Sequence, residues 1–365
     1  MKTQPRLLLL GTTVTAGLAA QSHLVVPSTF ATTDAMSYEW IAGATDPQRQ
    51  QTLIGASHLA AMLGSDIHAI EFRRTAVNET YAAGSTNLTV TLSISPNTPL
   101  ACSNSFAANT GPSPVQVFSG TVTLPASPAT GGSGSAIGWT AANIVRIPFT
   151  QPFHYAGGTI CVDVTGQPIT GQETWWMADA TEEVIPGTAV VELGPGCGGY
   201  GGVQRQWSSV DERSLVPGGH AVFRAWGTPS GLAVAMFGAE ATGPLFPQYP
   251  LLGQWGIPTP NCVSYLNPLS ILATVPTVFD APAQPSPFSS MAEVLVPLPS
   301  HPAWFGFQLT TQWFDLGELA SSNGLRWTVG SAAPTLDMAL CEGVPQLPSG
   351  HVTTYLAHVL RFEYQ

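Results

Sequence analysis

The sequence predicts an all-β protein: two consecutive β-sandwich, jelly-roll-like domains behind a cleaved signal peptide. Three observations predict it. Apolar and polar residues alternate with period two in many short segments. Gly and Pro punctuate the chain densely, with 37 Gly and 32 Pro in 365 residues. The chain is also 44 % hydrophobic with ten Trp, which separates it from disordered Gly/Pro-rich sequences that lack apolar residues. Many short strands joined by turns, with no helical stretches between them, are the pattern of sandwiches and jelly rolls.

From the N-terminus, Lys2 and Arg6 precede an apolar run from Leu7 that fades towards Ala20, ending in the small residues Leu18-Ala19-Ala20. This reads as a secretory signal peptide over residues 1–20, with Thr29-Phe30-Ala31 as a weaker second cleavage site. The apolar run is shorter than the roughly 20 residues a bilayer needs, and no transmembrane segment is expected downstream. Asp46-Pro47 has the form of a helix start, but Thr52-Leu53-Ile54 and Gly55 favour extended structure, so 46–63 is read as strand. In 87–94, Leu88, Val90, Leu92 and Ile94 face one way and Thr89, Thr91 and Ser93 the other. Segments 115–124, 144–149, 159–164, 188–193 and 221–226 repeat that pattern, and 125–136 (PASPATGGSGSA) reads as a flexible loop.

The turn-rich 227–231 marks a boundary between an N-terminal domain (21–227) and a C-terminal one (232–341). Strands are predicted in the latter at 232–237, 262–266, 270–275, 292–296, 305–314, 324–330 and 335–340, with Pro-rich loops at 244–260 and 280–287. Residues 342–365 read as a tail in which Val352, Tyr355, Leu356, Val359 and Leu360 suit a short helix. Cys262 and Cys341 both fall in the second domain and are expected to form a disulfide; one of Cys102, Cys161 and Cys197 is then left over.

The start Gln21-Ser22-His23-Leu24-Val25-Val26-Pro27, the Ile70-Glu71-Phe72-Arg73-Arg74 segment, Pro152-Phe153-His154-Tyr155-Ala156-Gly157-Gly158 and Ser322-Asn323-Gly324-Leu325 resemble exported planctomycete-type proteins of unknown function. The resemblance covers roughly residues 21–341. It implies export and a β-sandwich or jelly-roll fold, and it carries over no catalytic residue.

Charge narrows the partners. Without the leader the chain has nine Arg, no Lys and 22 acidic residues, a net charge of about −13. Nucleic acid and anionic lipid are therefore excluded as expected partners, because attraction to phosphate comes from Lys and Arg. No GxSxG elbow, HExxH or CxxC is present, so no catalytic residue, metal or cofactor is assigned. Arg73-Arg74 reads as a structural pair on a strand. His351 and His358, seven residues apart, would share one face of a helical tail.

The candidate ligand-binding residues are Trp175, Trp176 and Asp179. Neighbours on a strand face opposite sides, so one ring packs inside and the other lies free to stack on a sugar beside a carboxylate that accepts hydroxyl hydrogens. Asp179 with Glu182 and Glu183 also offers oxygen ligands for calcium, although the DxDxDG loop is missing. The expected function is a secreted or cell-surface, non-enzymatic binding or matrix protein with an extracellular glycan or another surface protein as partner. The alternatives are a secreted glycoside-active enzyme with a carboxylate pair and a structural subunit of an extracellular assembly.

Overall fold

The computed structural model describes residues 21–198, 207–242, 263–279 and 290–365. The signal peptide, both Pro-rich loops and Cys262 lie outside the described residues.

Nine strands come first: β1 (Ser22–Val26), β2 (Met36–Trp40), β3 (Gln48–Ile54), β4 (Asp66–Arg73), β5 (Gly84–Ser95), β6 (Val115–Leu124), β7 (Ile144–His154), β8 (Thr159–Pro168) and β9 (Met177–Glu182). They are followed by β10 (Ala189–Gly194), β11 (Ser208–Val210), β12 (His220–Gly227), β13 (Leu232–Glu240), β14 (Leu266–Val278), β15 (Ser290–Pro297), β16 (Gln308–Asp315), β17 (Ala320–Ser321) and β18 (Gly324–Thr328). The last four are β19 (Met338–Gly343), β20 (His351–Thr353), β21 (Leu356–His358) and β22 (Leu360–Tyr364).

The all-β class is as expected, but the strands form five sheets that do not resolve into two consecutive jelly-roll sandwiches. The early and the final strands build three sheets together, in the orders β1-β22-β4-β7, β20-β19-β3-β8-β5-β6 and β2-β9-β21. The middle strands build the other two, β10-β18-β16-β13-β14 with β17 on β16, and β11-β12-β15. Strands 189–328 are thus inserted between β9 and β19. The separation of 232–341 from 21–227 is corrected accordingly, since β19 pairs with β3 in the register Leu340↔Thr52.

Each group has its own core. Ile70, Phe72, Leu88, Val90, Val162, Trp176, Leu360 and Phe362 pack in the first. Phe223, Phe237, Trp313 and Trp327 pack in the second. Alternation is visible in part: in β5, Leu88, Val90 and Leu92 are buried while Thr89 and Thr91 are half-buried, but Ser93 is buried and Ile94 half-buried, and β8 and β10 show no alternation. The 46–63 segment is strand as far as Ile54, and a single helical turn, Ala56–Leu59, follows Gly55.

Residues 342–365 are strands, not a helical tail. Every residue from Val352 to Leu360 is buried, and a segment covered on all sides shows no period of its own, so its helical spacing carries no information. The Cys262–Cys341 bridge is also corrected. Cys341 is a free, buried thiol, and no disulfide joins two described residues. The reason is topological: β19 places Cys341 opposite Gln51 in the first group of sheets, clustered with Cys102 and Cys161.

The loop 125–136 is tied down rather than loose. Arg74 donates to Ser127 Oγ at 3.1 Å and to the Pro128 carbonyl at 2.6 Å, and Tyr81 and Ser127 form a bridge. The two groups of sheets meet where Leu295 of β15 packs on the cluster of Leu53, Cys102, Phe106, Cys161, Ala339, Cys341 and Val352.

Candidate functional site

Trp175 and Trp176 divide as strand geometry requires, although they lie in the extended lead into β9 rather than inside it. Trp175 is 67 % exposed and Trp176 is fully buried. Trp176 donates its indole N–H to the Pro125 carbonyl at 3.2 Å and meets Tyr81 edge to face. Asp179 is fully buried, which removes it and Trp176 from ligand contact. β9 is the central strand of its sheet, so its residues are covered where an edge strand's would be open.

Asp179 instead anchors Arg73. Arg73 Nη2 lies 2.5 Å from Asp179 Oδ2 with both side chains buried, and the Ala35 amide donates to Asp179 Oδ1 at 2.9 Å. The same guanidinium donates to the carbonyls of Phe30, Thr33 and Ile137 and lies over the Trp139 ring. Arg74 is likewise buried, over the Tyr81 ring. Both arginines are structural, as read from the sequence.

What surrounds Trp175 was not legible in advance. Its ring meets Trp40 at a centroid distance of 4.9 Å and an interplanar angle of 66°. Trp40 meets Tyr38 at 6.3 Å and 79°, and Tyr38 is 50 % exposed. Tyr38 and Trp40 stand two apart on β2, so period-two geometry sends both rings to one side. The Tyr38-Glu39-Trp40 triplet was the available signal.

Trp40 and Trp175 form one wall of a hollow of about 390 Å³, within the range of roughly 300–1,000 Å³ typical of small-ligand sites. Asp46, Gln48, Glu342 and His351 line the rest. Gln48 donates to Glu342 Oε2 at 3.1 Å.

Two carboxyls are perturbed here. Burial, reinforced by the charge of Glu342, pushes Glu39 up to about 8. Burial also raises Glu342, against the opposing pull of His351. His351 Nδ1 lies 2.8 Å from Glu293 Oε2, and Arg224 Nε donates to that same oxygen at 2.9 Å while its Nη2 contacts the His351 ring. Burial works to raise Glu293, but His351 and Arg224 outweigh it and hold the carboxyl below its usual value. A groove residue from β20 is thereby fixed to β12 and β15 of the inserted sheets.

His358 does not join His351. It is fully buried on β21 against Phe72, and desolvation lowers its pKa to about 4, so it is neutral at physiological pH. The calcium grouping also separates. Asp179 is held by Arg73, Glu182 lies 2.5 Å from Arg213, and Glu183 accepts from the Thr335 and Leu336 amides.

A second hollow of about 420 Å³ lies between 27–30 and 181–184. Its Glu182, Glu183 and His58 are engaged within the protein, His58 Nε2 with the Leu336 carbonyl at 2.6 Å. Among the described residues His23, Glu71 and Glu363 also converge, but Arg146 and Arg361 hold the two carboxylates. No helix of the described residues is long and apolar enough to cross a membrane. Comparison with family models, with curated proteins and with solved structures returns no match.

Proposed function

We propose that this is an exported carbohydrate-binding protein whose site is the Trp40/Trp175 groove. The observation that carries the reading is the 67 % exposure of Trp175 at the rim of a hollow lined by Glu342 and Asp46. An indole left in water forfeits the burial that stabilises most Trp side chains, at roughly 25 cal/mol per Å² of apolar surface. A sugar covers the ring with its C–H face while its hydroxyls donate to the carboxylates. The secretory leader and the resemblance to exported proteins support an extracellular or cell-surface location.

A glycan array followed by titration calorimetry on the hits tests the reading. Trp175→Ala is expected to weaken binding by about 1–3 kcal/mol while leaving the melting temperature unchanged, since no core contact is lost. Array hits that bind the variant as well as the wild type would remove the site from this groove.

One observation favours a second reading, glycoside cleavage. Glu39, pushed up to about 8 by burial and by the charge of Glu342, holds a proton at neutral pH as a glycosidase acid does, with Glu342, itself raised by burial, as the second carboxyl. Reducing-sugar release from the bound glycans that disappears in both Glu39→Gln and Glu342→Gln would establish it. Binding without release leaves the non-enzymatic reading.

A further inference from the structure

Resting on the carbohydrate reading of this groove, we infer that its ligand is a single, uncharged glycan chain, and not the face of a crystalline polysaccharide or an anionic glycan. Two features of the site carry this: the angles between its aromatic rings and the signs of its charges.

A crystalline face presents its sugar rings in one plane, and a protein that adheres to it needs aromatic rings in a matching plane. Tyr38, Trp40 and Trp175 are turned by 79° and 66° from one to the next. If any one of them lies flat on such a face, its neighbour stands edge-on and holds the surface away. A single chain has no such constraint. It turns about each glycosidic bond and can offer a C–H face to each ring in succession, and the centroid separations of 6.3 and 4.9 Å are comparable to the length of one sugar unit. Trp40 touches both other rings and is the middle contact. Beyond Trp175 the hollow is a recess rather than a plane, with room for a sugar and hydrogen-bond acceptors to orient it.

The charges select among chains. Among the described residues Asp46 and Glu342 line the hollow, no Arg or Lys does, and the basic side chain that does, His351, is engaged with Glu293. A uronate or sulfate here meets the carboxylates of Asp46 and Glu342, while the nearby Arg224 guanidinium, which contacts the His351 ring, is taken up by Glu293; at physiological salt these charges act over a Debye length of about 8 Å. The whole chain carries a formal charge of −11, so the long-range field opposes anionic chains as well. Neutral hydroxyls, by contrast, donate to these same carboxylates.

The test uses the full mature chain and three kinds of probe. Calorimetry is run with soluble hexasaccharides and disaccharides of glucose, mannose, xylose and N-acetylglucosamine. Pelleting is run with microcrystalline cellulose and chitin, and titration with polygalacturonate. At least one neutral hexasaccharide is expected to bind saturably, about tenfold or more weaker in Trp175→Ala. Tyr38→Ala should weaken the hexasaccharide while sparing the disaccharide, with both variants melting as the wild type does. An unaffected hexasaccharide in Tyr38→Ala overturns the three-ring path. Pelleting with a crystalline solid but no binding of any soluble chain, or tighter binding of polygalacturonate than of any neutral chain, overturns the inference and leaves carbohydrate binding intact, provided Trp175→Ala abolishes it. No binding of any probe overturns both.

Discussion

Glu39 sits beside the groove with its carboxyl pushed from 4.5 up to about 8 by burial and by Glu342, so it is protonated in the fold at neutral pH and ionised in the unfolded chain. Folding therefore takes up a proton between these two values. The stability associated with the protonated carboxyl is fully present below about pH 4.5, falls as the pH rises, and is lost by about pH 8. At about 1.4 kcal/mol for each pH unit between the two pKa values, the full effect would be ~4–5 kcal/mol. Glu342 titrates with Glu39 and absorbs part of it, so about 2–4 kcal/mol is expected at the plateau. Glu39→Gln keeps the shape and carries no charge at any pH. Urea unfolding of wild type and variant from pH 4 to 9 should give equal stabilities at the acidic end and a growing advantage for the variant towards pH 8. A constant difference across that range, or a wild type that gains on the variant as pH rises, would refute the reasoning.

Trp176→Ala should destabilise by roughly 3–5 kcal/mol, read by chemical denaturation, because it empties a fully buried site in the first core; a cost below ~1 kcal/mol would show that the ring is not packed there. Asp179→Ala should cost about 3–5 kcal/mol by leaving Arg73 buried without its counter-charge. Arg73→Ala should cost more, since it also strips the donors from the Phe30, Thr33 and Ile137 carbonyls, and equal costs would refute the anchoring role. Burial raises Cys102 to about 12 and also raises Cys161 and Cys341, so iodoacetamide at pH 8 should label these three thiols only after unfolding; labelling of the native protein, located by peptide mapping, would contradict their burial.

Local pattern was legible and long-range pairing was not. The alternation over 115–124 coincides with β6, and the alternation after Gly231 with the start of β13, because a strand open on one face writes its own period into the sequence. Nothing in 360–364 says that it pairs with 22–26 rather than with its neighbours in the chain. Cys341 was misassigned for the same reason: its place depends on β19 reaching β3, a contact between distant segments. At the site, the split of Trp175 from Trp176 followed from backbone geometry alone. The burial of Asp179 did not, because it depends on which strands flank β9. Tyr38 and Trp40 escaped notice because β2 is five residues long and its pattern is carried by rings rather than by an aliphatic run.

The position of β22 between β1 and β4 also sets an order of events. Among the described residues β10 to β18 find their sheet partners within 189–328, so those sheets can close as soon as that stretch is available. The sheet holding β1 stays open until 360–364 arrive, since the strand that joins β1 to β4 lies about 290 residues beyond β4. Closing so long a span adds little to the thermodynamic cost, about 0.6 kcal/mol for each doubling of length, but it delays the event. A chain delivered through a pore from its N-terminal end would thus keep β1 and β4 unjoined until residues 360–364 had passed, and only then lock, with segments 22–26 and 360–364 held side by side.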